Sequence, residues 1–130
     1  MKSAILIAAH GSPVPGTNDE VFRIAADVRS KATYDAVEAC FLECNQPSIS
    51  EAIKQCVELG VGKIVVLPYF LHPGRHVVLD IPAELERAMM AHPDIEFRLA
   101  DYLGSSILIS AILLLRASAA STLEIEANEG

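Results

Sequence analysis

The sequence predicts an α/β domain: one doubly wound parallel sheet of about four strands, with helices on both faces. Three observations predict it. Apolar runs rich in β-branched residues alternate with amphipathic stretches of helical period. The alternation returns about every 30 residues, the length of one strand–helix–strand step. The first run, Ala4–Ala9, is apolar throughout, as in a strand buried on both faces.

Each element follows in order. After the strand Ala4–Ala9, Thr17-Asn18-Asp19-Glu20 reads as a capping box. The helix behind it carries Val21, Ile24, Ala25 and Val28 on one face. Tyr34–Leu42 is the second strand. Ser48-Ile49-Ser50-Glu51 is a second capping box, and its helix buries Ile49, Ala52, Ile53 and Val57 before stopping at Gly60. Ile64–Leu71 is the third strand, with Pro68 expected near its end, because proline cannot donate to a ladder. A third helix is expected to start at Asp80 or a neighbour, with Pro82 in its first turn. Ile95–Ala100 alternates as a fourth strand. Gly104-Ser105-Ser106 opens a last helix, apolar nearly all round, which should be buried in the core or against another subunit.

The chain has 130 residues, 52 % hydrophobic and 21 % charged, enough for one domain with a real core. The expected division is a domain over 1–120 and an acidic tail over 121–130. The net charge is −7, Trp is absent and aromatics are 5 %. Nucleic acid and anionic membranes are therefore not expected partners. The run Ile107–Leu115, eight of nine residues apolar, is too short to span a bilayer. The run behind Lys2 is too short for a secretory signal, so a cytoplasmic protein with reduced thiols is expected.

In open parallel sheets ligands bind beyond the carboxyl ends of the strands. There the sequence places His10-Gly11-Ser12 after strand one and Glu43, Asn45 and Gln46 after strand two. It places His72-Pro73-Gly74-Arg75-His76 after strand three and Asp101-Tyr102 after strand four. Three of the four histidines thus share one rim, and His92 falls at the other. His10 reads either as a ligand or as a cap on the sheet edge. His76 reads either as a ligand or as a solvated loop residue, and for His72 the solvated reading is preferred. Pro73-Gly74 argues against a helix joining His72 to His76. Glu43 closes an apolar strand; partial burial would suit it to proton transfer, and a solvated acid is the alternative. Cys40 and Cys44 lack a second ligand pair and read as core thiols. Arg75 is a candidate carboxylate clamp. Glycine-rich phosphate loops and a Gly-x-Ser-x-Gly elbow are missing, and Ala9 stands where a histidine phosphatase would carry arginine.

Ala9-His10-Gly11-Ser12, Phe41-Leu42-Glu43, Gln46-Pro47-Ser48-Ile49, Leu67-Pro68-Tyr69-Phe70-Leu71, Gly74-Arg75-His76-Val77 and Asp80-Ile81-Pro82 together resemble the short CbiX-type sirohydrochlorin chelatases. The resemblance spans residues 4–116. It implies insertion of cobalt, nickel or iron into sirohydrochlorin without ATP, cobalt first, with the metal as substrate and no permanently bound cofactor. It implies a homodimer, for which Ile107–Leu115 offers a surface. It maps the family's metal histidines onto His10 and His76 and its acidic residue onto Glu43. It maps the substrate-contacting loop onto Leu71, His72, Pro73, Gly74, Arg75 and His76. Gln46 stands where relatives often carry glutamate, so an acid role for that side chain does not carry over.

The chemistry agrees with these roles. Inserting a divalent ion displaces two pyrrole protons, so a metal anchor and a proton acceptor are both needed. Two imidazoles on strand ends about 4.8 Å apart can share one ion and leave positions open for the macrocycle. His10 or Glu43 would take the protons. A metal- or tetrapyrrole-binding module without catalysis is the alternative reading.

Overall fold

The structure is a computed structural model that describes residues 1–124. Four parallel strands form one sheet in the order β2-β1-β3-β4: β1 Ser3–Ala9, β2 Ala36–Phe41, β3 Lys63–Pro68 and β4 Glu96–Leu99. The central pair is in register with Ala4 opposite Ile64 and Ala8 opposite Pro68. Pro68 is the last residue of β3, as its missing donor requires.

Alternation along β1 divides the core. Ile5, Ile7 and Ala9 face helix α1 (Asp19–Lys31), whose Val21 and Ala25 pack on them with Val37, Ala39 and Phe41. Ala4, Leu6 and Ala8 face α2 (Ile49–Glu58) and α3 (Ile81–Ala91), whose Ile49, Ala52, Ile53, Cys56, Ile81 and Leu85 complete the other layer. Cys56 is buried where Val57 was expected, and Val57 is half-buried. Both layers are apolar; among the described residues no polar or charged residue is buried.

The second capping box is present. Ser48 Oγ accepts from the Glu51 amide at 3.1 Å, and Glu51 accepts from the Ser48 amide at 3.4 Å. Gly60 follows with φ +77°, as a glycine past a helix end does. The first capping box is absent. Asn18 precedes α1, and its side chain bonds the Ser12 backbone in both directions, at 3.0 and 2.9 Å. Thr17 is drawn into turns instead: its amide bonds the Val14 carbonyl and the Asp19 amide bonds the Gly16 carbonyl. The chain therefore reaches the helix already wound.

The third helix starts at Ile81, beside Asp80, with Pro82 in its first turn as expected, and a five-residue π turn (His76–Asp80) runs straight into it. Pro82 accounts for the wide register: its ring would collide with the residue 78 carbonyl in an unbroken α-helix, and it has no amide to donate. After a 3₁₀ turn at Leu103–Ser105 comes α4 (Leu108–Ala119), which buries none of its residues. It is not a core helix of this chain. The expected acidic tail 121–130 is described only as far as Glu124; its remainder lies outside the described residues.

Candidate metal site

The strand order fixes where a site can form. The chain leaves β1 toward β2 on one side and leaves β3 toward β4 on the other. The crevice between β1 and β3 is thus the topological switch point. His10 follows β1 directly, and His76 opens the π turn that follows β3.

The structure brings the two histidines together, with ring centroids 4.7 Å apart and planes at 41°. Phe70 stands beside them, its ring 6.0 Å from that of His76. Each imidazole has a carboxylate partner. His10 Nε2 lies 2.7 Å from Glu43 Oε1, and His76 Nδ1 lies 2.7 Å from Asp80 Oδ2. The His10 and Glu43 side chains are 49 % and 56 % exposed, so a large ligand can reach them.

Backbone geometry holds His10 and Glu43 in place. The Glu43 amide donates to the His10 carbonyl at 3.0 Å. Gly11 turns with φ +92°, and a Cβ on it would stand 1.8 Å from the Glu43 carbonyl oxygen. Gly104 does the same for the loop after β3: a Cβ there would meet the Leu71 carbonyl oxygen at 1.8 Å. Two concavities flank the histidine pair. One, of about 450 Å³, runs along His10, Ser12, Asn18 and Tyr69; the other, of about 310 Å³, runs along Glu43, His76, Asp80 and Arg87.

The other expected residues are placed as follows. Leu71, His72, Pro73, Gly74 and Arg75 form an exposed loop leading into His76. Gln46 is exposed, and neither it nor this loop lines the two concavities. Glu43 is exposed, so of the two readings of its carboxylate the solvated acid is the one that holds; the chain turns into solvent as soon as it leaves β2. Cys40 is buried, and that burial pushes its thiol up to about 12. Cys44 is exposed in a left-handed turn with φ 63°, so it is not a core thiol. His92 caps the far end of α3, away from the site. Asp80 is the site residue that sequence reasoning assigned only to a helix start; its signal was its place four residues after His76.

The CbiX family model matches residues 4–120. This chain belongs to the CbiX family. It is 31 % identical over 126 residues to the sirohydrochlorin cobaltochelatase of Priestia megaterium, covering 97 % of this chain and 41 % of that protein. The fold matches a sirohydrochlorin chelatase, SirB of Bacillus subtilis subspecies spizizenii, solved in complex with cobalt. There the TM-score is 0.84 at 29 % identity, over 91 % of this chain and 50 % of that one. It also matches a CbiX protein of Marinobacter aquaeolei VT8, with TM-score 0.74 at 27 % identity, over 89 % of this chain and 94 % of that one. The chain thus spans about half the length of the first curated relatives it matches.

Proposed function

We propose that this CbiX-family chain inserts a divalent metal, cobalt first, into sirohydrochlorin without ATP. The observation that carries the reading is the His10–His76 pair at the switch point of the sheet. A metal–nitrogen bond of about 2.1 Å puts each ring centre roughly 3.2 Å from the ion, so two rings sharing it at 90–109° have centres about 4.5–5.2 Å apart. The separation of 4.7 Å falls within that range. Relatives named as sirohydrochlorin cobaltochelatases and a cobalt-bound structural neighbour support the substrate and the metal.

In this reading the metal is a substrate held by His10 and His76, with no resident cofactor. Two protein ligands leave coordination positions open for the ring nitrogens. As those nitrogens replace the imidazoles, the macrocycle releases two protons. His10, freed of metal, accepts one and passes a proton through Glu43, at 2.7 Å, to solvent, and is then free to take the second by the same route. Leu71, His72, Pro73, Gly74, Arg75, Gln46 and Glu43 border the macrocycle, and Arg75 meets its carboxylates. Local cations matter because the chain as a whole is acidic.

The partner is a second copy of this chain. Ile107, Leu108, Leu113, Leu114 and Leu115 are 64–88 % exposed, and an apolar helix of this kind is an association surface. Sedimentation of the full chain at micromolar concentration reports the dimer, and Leu114→Glu weakens it; a monomer without any substitution refutes this part.

Anaerobic insertion into sirohydrochlorin, followed by absorbance with cobalt, nickel and ferrous iron in parallel, tests the activity. Acceleration that is lost in His10→Ala and in His76→Ala supports the proposal. Metal binding without acceleration leaves a binding module instead.

A further inference from the structure

Asp80 takes no part in the proposed metal and proton transfers. We propose that Asp80 is a positioning residue that fixes His76 as an Nε2 metal ligand; the inference rests on the metal-site reading. Asp80 occupies the position before α3, where an aspartate usually caps the helix. It makes no cap bond. The π turn has removed that geometry: Asp80 is itself helical, with φ −72° and ψ −47°, and Pro82 at the second helical position has no amide to offer a cap. The carboxylate is left for the imidazole, with Oδ2 2.7 Å from Nδ1. Among the described residues it has no other hydrogen-bond partner.

A carboxylate accepts and does not donate, so the bond requires a proton on Nδ1. A neutral imidazole has one N–H, and Nε2 therefore keeps its lone pair for the ion. Free imidazole side chains lack this bias. The two groups share one turn, four residues apart, so the backbone sets their approach and few rotamers are lost in forming it. His10 is tied the opposite way, through Nε2 to Glu43. The two ligands therefore present different atoms: His76 Nε2 and His10 Nδ1. A carboxylate behind a ligating imidazole also raises its basicity, and losing it typically weakens metal binding about 10–100-fold.

The test uses the full chain labelled with ¹⁵N and long-range ¹H–¹⁵N spectra of the histidines at alkaline pH, first without metal. His76 is expected as the Nδ1–H tautomer, and Asp80→Ala is expected to move it toward Nε2–H. Zinc, a diamagnetic probe, is then titrated. It should shift Nε2 of His76, and Asp80→Ala should weaken binding about 10–100-fold. Asp80→Asn keeps an acceptor oxygen and should restore part of both effects; it also serves where Asp80→Ala does not fold. His76 remaining Nδ1–H in Asp80→Ala, or zinc affinity within about twofold of the unsubstituted protein, overturns the inference. No histidine response to zinc in the unsubstituted protein overturns the metal-site reading instead, and the ligand assignment with it, whatever the tautomer.

Discussion

Gly11→Ala isolates what the turn after β1 contributes. Two effects add. Holding alanine at φ +92° costs about 1–3 kcal/mol of backbone strain. Its Cβ would also stand 1.8 Å from the Glu43 carbonyl oxygen, where a carbon–oxygen contact needs about 3.3 Å. The two segments must separate by roughly 1.5 Å, an overpacking cost of about 1–3 kcal/mol. The total is roughly 2–6 kcal/mol. Unfolding entropy of about 2.1 cal/mol/K per residue makes each kcal/mol worth about 4 °C in a chain of 130 residues. Two other glycines serve as controls. Gly60→Ala carries the strain of φ +77° with nothing within 4 Å, so it should lose only about 1–3 kcal/mol. Gly74 has neither a positive φ nor a neighbour within 4 Å, and its alanine should change stability by less than about 1 kcal/mol. Calorimetric melting of the three variants checks the order. Metal insertion, the proposed activity, would add a second readout: the displaced segment carries Glu43 away from His10, and a 1 Å misplacement in a catalytic pair can cost about 100-fold in rate. A Gly11→Ala protein that melts no lower than Gly60→Ala would refute the close approach and with it the rigid placement of Glu43.

Ser48→Ala removes one half of the α2 capping box and should cost about 1 kcal/mol in urea unfolding, with the sheet intact. Ile81→Ala empties a fully buried position where α3 meets the sheet, and should cost about 2–5 kcal/mol by the same measurement. Burial of Cys40 raises its thiol from 9.0 to about 12, so the unfolded chain releases this proton first as pH rises. Its contribution to stability is full below pH 9 and is lost progressively from there to about 12; urea midpoints should fall over that range, less steeply in Cys40→Ala. At pH 8 a thiol reagent should modify the exposed Cys44 and spare Cys40 and Cys56 until the chain unfolds, as mass spectrometry of the labelled peptides would show.

The layered fold was legible because its causes are local and repeated. Ala4–Ala9 reads as a central strand since both its faces are covered, and Ser48 with Glu51 reads as a helix start since the two caps are reciprocal. The rim histidines were legible because strand ends are fixed by hydrophobic length. What escaped depends on contacts the sequence does not order. Thr17 has the right neighbours for a capping box, but Asn18 finds Ser12 across a turn and the helix starts one residue later. Glu43 follows an apolar strand, and only the direction of the turn after Phe41 decides that it faces solvent. Asp80 read only as a helix start, because the π turn that joins it to His76 cannot be foreseen from spacing. The apolarity of α4 was plain, and its exposure in a single chain was not.

His10 and His76 stand about half the chain apart in sequence and meet only through the two central strands. Neither a hairpin nor a local turn can bring them together; β1 and β3 must first pair across the whole of α1, β2 and α2. An unfolded or half-assembled chain therefore has no two-histidine site. An ion that binds here binds the finished sheet alone and adds RT ln(1 + [L]/Kd) to its stability, about 2.7 kcal/mol at a hundredfold excess over Kd. Metal supply would then set the lifetime of the protein as well as its turnover: a cell short of the ion would hold a chain that opens more often and is cleared sooner.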